Sequence, residues 1–117
     1  MKPELEFHIP DSDWHPAGGE VEGIDEQIIS HDETTGAYTR LMRFAPGVDS
    51  SPNGTLTHEF WEEVFIISGD LTDLRLGETF RAGMYACRPP GMPHGPWTSD
   101  EGVLMIEFRY DFPADSR

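Results

Sequence analysis

Gly83-Met84-Tyr85-Ala86-Cys87-Arg88-Pro89-Pro90-Gly91-Met92-Pro93-His94-Gly95-Pro96-Trp97-Thr98 is the stretch whose reading decides the fold. Its first part reads as a short strand ending at Arg88. Pro89 and Pro90 fix φ, and Gly91 takes the positive φ that other residues resist, so a rigid turn follows. Such a turn holds the next polar side chain, His94, in place. Upstream lies a second cluster, His58-Glu59-Phe60-Trp61-Glu62-Glu63. Imidazoles and carboxylates delivered from two strand ends suggest a metal site.

Working outward, the chain reads as strands separated by glycine and proline. Candidate strands run over 23–29, 38–44, 64–67, 71–76, 84–88 and 103–110, with Ser68-Gly69-Asp70 expected to close the strand over 64–67. In the last one Leu104, Ile106, Phe108 and Tyr110 share one face, and Val103, Met105, Glu107 and Arg109 the other. No segment keeps a helical period over about ten residues. Short strands with frequent Gly/Pro turns imply an all-β sandwich or barrel. Residues 1–23, rich in Pro, Gly and acidic side chains, read as an arm or loop, and 24–117 as a single domain. A barrel points alternate side chains into its interior, which would let His58, Glu62 and His94 converge.

The spacing of these residues resembles the cupin superfamily, small β-barrels (double-stranded β-helix, or jelly roll) marked by two motifs. The second family motif is matched by Gly83, Pro89, Gly91 and His94, with Thr98 where asparagine is usual. Of the first, Glu62 and Gly69 keep their spacing and His58 stands where the second histidine belongs. Leu56 occupies the place of the first histidine, and Gly54 is too near to be the leading glycine. The wording Glu62-Glu63-Val64 and Arg88-Pro89-Pro90-Gly91 is similar to small cupins that include the metal-binding domain of bacterial anti-sigma factors and dioxygenases of small ketones. The resemblance implies a metal held by His58, Glu62 and His94, two imidazoles and a carboxylate that suit non-haem Fe(II), with Mn, Ni or Zn as alternatives.

Composition narrows the partners. A net charge of −14, from 22 acidic against 8 basic residues, opposes nucleic acid and anionic membranes. Cys87 is the single cysteine and excludes an internal disulfide, so a reducing, cytoplasmic setting is expected. It reads as a small buried hydrophobe in its strand. No apolar run approaches the roughly 20 residues of a membrane span. Glu59 and Glu63 are alternative carboxylates, set apart from Glu62 by the alternation of an extended chain. His8, His15 and His31 have no motif partner. Phe60, Trp61, Tyr85, Met92 and Trp97 flank the proposed ligands; Phe60, Tyr85, Met92 and Trp97 are candidate walls of a substrate pocket, or ordinary core. Arg75, Arg88 and Arg109 each read by default as exposed surface residues; one of them placed inside the barrel would pair with a substrate carboxylate or with Glu107.

The function expected from the resemblance is a metal-dependent enzyme acting on a small organic molecule. Its most concrete form is an Fe(II) dioxygenase cleaving an enolisable or phenolic ketone, with Glu63 as a candidate catalytic base. Two alternatives stand beside it: a non-oxidative lyase or isomerase using a Lewis-acid metal, and a non-catalytic sensor module binding a small molecule or a metal. A homodimer is expected, because an unpaired sheet edge invites a partner.

Overall fold

The computed structural model describes residues 1–114, so the last three residues of the expected 24–117 domain lie outside the described part. Among the described residues the strands are β1 (Trp14–Pro16), β2 (Ile24–His31), β3 (Tyr38–Phe44), β4 (Val48–Asp49), β5 (Trp61–Asp73), β6 (Glu78–Arg81), β7 (Tyr85–Arg88), β8 (Trp97–Ser99) and β9 (Val103–Tyr110). All pairings are antiparallel, in the order β1-β2-β3-β9-β5-β8-β4, with β6 and β7 also on β5. The result is a curled all-β sheet, as the sequence reading expects. No helix among the described residues is long and apolar enough to cross a membrane.

Two readings need correction. Ser68-Gly69-Asp70 does not end a strand: β5 runs unbroken from Trp61 to Asp73, and the register against β9 slips between Ile66 and Ser68. That bulge bends β5, so its first part pairs with β7 and its second with β6 and β8. A turn at Asp73–Gly77 follows, closed by the Gly77 amide donating to the Asp73 carbonyl at 2.8 Å. Gly69 is required where β5 bends, because a Cβ there would lie 1.9 Å from the Gly102 carbonyl oxygen. Trp14–Pro16 is likewise a strand rather than part of a loop. It pairs with β2, and upstream of it the Met1 amino group meets Asp32 at 2.7 Å and Lys2 Nζ meets Thr39 at 2.6 Å. The N-terminal residues therefore lie along the chain's own sheet.

The inner face divides by chemistry. Ile24, Met42, Phe44, Val48, Val64, Ile66, Leu71, Trp97, Val103 and Met105 form one apolar core. Register explains what lies beside it. One row across β3, β9, β5 and β7 reads Tyr38, Arg109, Glu62, Arg88. The next reads Arg40, Glu107, Val64, Ala86, and the one after begins Met42, Met105, Ile66. Side chains directly opposite on neighbouring strands meet, so one end of the barrel is apolar and the other is a buried lattice of charges.

Candidate metal centre

Two main-chain stitches bring the histidines together. The Leu56 amide donates to the His94 carbonyl at 2.7 Å and the His94 amide returns to Leu56 at 2.9 Å. The Gly91 amide, at the tip of the Pro89-Pro90-Gly91 turn with φ 84°, donates to the His58 carbonyl at 2.8 Å. The rings of His58 and His94 then sit 4.8 Å apart. Glu62 reaches the same point from β5. One ligand atom from each of the three lies within 4.8 Å of the others. That spread is close to the about 4 Å between opposite donors of an ion bound at about 2.1 Å.

The electrostatics favour the ligand forms of the imidazoles. Burial, with Arg109 nearby, lowers the His58 pKa to about 4. Burial, with Arg88, lowers that of His94. Both rings are neutral at pH 7, as metal ligation needs. Burial would raise the Glu62 carboxyl, but Arg109 and Arg88 outweigh it and hold the pKa at about 2. Arg88 Nη1 donates to Glu62 Oε1 at 2.8 Å, and Arg109 Nε and Nη2 both reach Oε2 at 2.7 Å. Further along, Arg40 bonds Glu107 at 2.7 Å and Glu26 at 2.7 Å. Burial pushes the Glu107 carboxyl up, against the pull of Arg40.

His58 Nε2 is the one buried side-chain nitrogen or oxygen without a hydrogen-bond partner among the described residues. A buried polar atom left unpaired is costly, so an orphaned imidazole nitrogen beside a second imidazole and a carboxylate fits a metal ligand. The donor set fits a divalent ion in kind. The two guanidiniums on Glu62 lessen the negative charge that the carboxylate offers it.

The other candidates scatter. Trp97 lines the chamber that holds His58, Glu62 and His94, a space of about 230 Å³. Tyr85 and Met92 line a neighbouring chamber of about 160 Å³, which Trp97 also borders. Phe60 lines neither; it stacks on His58 with ring centres 4.6 Å apart and lies under Arg109. Glu63 is turned away from the cavity. It follows Glu62 in an extended strand and so points to the outer face, where the hydroxyls of Tyr85 and Tyr110 donate to its carboxylate. As a proton acceptor for a substrate in the chamber it is misplaced. Cys87, read as buried, is exposed on the same outer face. Of the arginines, Arg109 lies 3.7 Å from Glu107 and Arg88 faces the cavity, while Arg75 reaches the Pro93 carbonyl at an exposed site. Arg40 was not a candidate, though alternation along Tyr38, Arg40, Met42 and Phe44 places it on the inward face and could have found it.

A bent antiparallel barrel with two histidines and a carboxylate gathered at one end defines a cupin. More narrowly, residues 3–112 match the family model of the ChrR cupin-like domain, and the chain belongs to that family. No curated protein matches it by sequence. Solved structures share the fold at low identity. An RmlC-like cupin from Shewanella frigidimarina is 16% identical, with TM-score 0.71 over 99% of this chain and 98% of that one. An acetylacetone dioxygenase from Acinetobacter johnsonii is 17% identical, with TM-score 0.69 over 100% and 85%. The structure of Rhodobacter sphaeroides SigE in complex with the anti-sigma ChrR gives 20% identity and TM-score 0.62, over 89% of this chain and 51% of that one.

Proposed function

We propose that this chain is a metal-dependent enzyme acting on a small organic molecule, with His58, Glu62 and His94 as the ligands of a divalent ion. The orphaned Nε2 of His58 carries the reading. Fe(II) is the favoured metal and oxidative cleavage of an enolisable or phenolic ketone the favoured reaction, in line with the similarity to an acetylacetone dioxygenase. A bound ion would supply Lewis acidity and, as iron, reactivity towards dioxygen. The chain's own residues do the rest. Neutral imidazoles offer lone pairs without proton competition at pH 7. Arg88 and Arg109 fix the Glu62 rotamer from both sides. Phe60 and Trp97 flank the two rings and keep water from them. The carboxylates that line the chamber, Glu62 and Glu107, are both engaged by arginine.

The same guanidiniums favour a second reading, a non-catalytic binding module, because a carboxylate shared with two cations is a weaker ligand. A lyase or isomerase chemistry on Mn, Ni or Zn lies between the two. One experiment separates them: metal analysis of protein purified without chelators, then oxygen uptake with a panel of β-diketones. About one metal per chain and substrate-dependent oxygen consumption are expected. Metal without oxygen uptake sends the reading to lyase or binding chemistry, and no metal even after adding Fe²⁺, Mn²⁺, Ni²⁺ or Zn²⁺ ends it. A homodimer belongs to the proposal, since Phe65, Ile67, Tyr85 and Phe108 are exposed on one outer face. A monomer by light scattering removes that part.

A further inference from the structure

The cavity is double, and Arg88 stands at the division. The chamber of His58 and Glu62 and the neighbouring chamber share a wall made of Leu71, Arg88, His94, Trp97 and Met105. Beyond that wall the second chamber is hydrocarbon for most of its surface, with Val64, Ile66, Phe80, Met84 and Ala86 as its own lining. Nothing in the metal reading uses it.

Arg88 is unlike the other interior arginines. Its side chain is only 12% exposed, yet it spends a single nitrogen, Nη1, on Glu62. Arg40 is engaged through Nε, Nη1 and Nη2, and Arg109 likewise. Among the described residues, Nε and Nη2 of Arg88 have no hydrogen-bond partner, and the flat face of the group lies 5.1 Å from the Trp97 ring centre. A guanidinium held from one side and by its face, with two donors left over, is shaped for a carboxylate.

Charge points the same way. Arg40, Arg88 and Arg109 are balanced by Glu62, Glu107 and, at the rim, Glu26. The network is neutral as it stands, so a divalent ion on the histidines would add two positive charges with no counterpart. Buried charge needs a partner. A neutral ligand cannot supply one, whereas an anionic ligand can.

The geometry points to a small amphiphilic carboxylate as the ligand of this cavity, its carboxylate on the free Nε and Nη2 of Arg88 and its hydrocarbon chain in the apolar chamber. The inference takes the metal centre of the proposed function as its setting and names the class of molecule that would sit beside it. Arg88 anchors the ligand; the Val64–Ala86 side of the chamber selects for chain length.

Calorimetric titration with acetate, butyrate and hexanoate, and with hexanamide as the uncharged match, tests it in the chelator-treated protein and in the Zn²⁺-loaded protein. Hexanoate is expected to bind at least about tenfold tighter than hexanamide, since a charge-assisted pair is worth that much. Each methylene added should tighten binding by about fourfold until the chamber is full. Ala86→Phe fills the chamber without touching Glu62 or the histidines; it should erase the chain-length dependence and leave zinc binding unchanged. Arg88→Met should erase the preference for acid over amide. If Zn²⁺ fails to bind while hexanoate still discriminates, the metal reading falls and this one stands. If Zn²⁺ binds and hexanoate is no better than hexanamide, or chain length is without effect, the inference is overturned, and Ala86→Phe decides it even where Arg88→Met does not fold.

Discussion

His58 shows how burial prepares a residue for one task. Its Nε2 has no partner, and its pKa is pushed down to about 4 by burial with Arg109 adding to it. Metal loading should therefore persist to lower pH than the ordinary value of 6.5 would allow. The same shift has a cost in the metal-free protein. Between pH 6.5 and about 4 the unfolded chain takes up a proton at His58 that the folded chain resists, so stability falls as pH falls through that window. Glu62, held at about 2 instead of 4.5, carries the loss on to lower pH with the same sign. Thermal midpoints of chelator-treated protein at a series of pH values should show the decline, and His58→Gln should flatten its upper part; an unchanged slope would mean that His58 titrates normally. Leu56 offers the opposite kind of change. It lines the chamber of His58 and Glu62 and is paired to His94 by both main-chain bonds. Leu56→His should add a ligand and tighten Zn²⁺ by about tenfold or more, whereas His94→Ala should lose the metal and leave the barrel folded. Competition against a chromophoric chelator reads both.

Strands and turns carry these side chains to their places, and glycines set where the chain may bend. Gly69 and Gly91 both have positive φ, but their surroundings differ. A Cβ on Gly91 would meet nothing within 4 Å, while on Gly69 it would strike the Gly102 carbonyl oxygen at 1.9 Å and Val103 Cα, the first residue of β9, at 2.8 Å. Gly91→Ala should cost about 1 kcal/mol, the backbone penalty alone, and Gly69→Ala about 3 kcal/mol or more, since carbonyl and strand must shift together. Urea midpoints at constant slope would check the difference; equal losses would contradict the close crossing of β5 and β9. The same two glycines mark what could be read without coordinates. Pro89, Pro90 and Gly91 mark their turn in the sequence, and the spacing to His94 sets that ring just beyond it, because local φ restrictions are written in residue type. Gly69 reads as a stop in the sequence and is a bend within β5 in the fold, because a bulge and a turn use the same residue and only pairing tells them apart. Alternation placed Glu107 and Arg109 on the inner face of β9. It could not show that Arg109, Glu62 and Arg88 fall in one row, since register between strands distant in sequence is set by the fold. By the same parity Glu63, one step from Glu62, falls on the outer face, where Tyr85 and Tyr110 hold its carboxylate.

At the scale of the whole molecule the charges fall into two populations with opposite responses to salt. Inside, Glu62 and Glu107 are buried against Arg40, Arg88 and Arg109 at 2.7 to 2.8 Å. Outside, most of the 22 acidic residues face water with few cations among them, leaving the net charge at −14. Surface pairs such as Arg43 with Asp25, at 3.7 Å, add little. Repulsion among exposed carboxylates opposes the compact state and reaches across tens of ångströms at low ionic strength, but a Debye length of about 8 Å at 0.15 M cuts it off. The buried pairs lie out of reach of mobile ions and are screened much less. Salt should therefore remove the repulsion and spare the attraction. Raising NaCl from near zero to about 0.15 M, with chelator present so that no metal contributes, should raise stability by roughly 1 kcal/mol, a Tm increase of about 4 °C for a domain of this size. KCl should act alike, since the effect is one of ionic strength. A midpoint that falls with salt would show that the arginine–carboxylate rows are open to solvent, and the buried lattice at the charged end of the barrel would have to be abandoned with them.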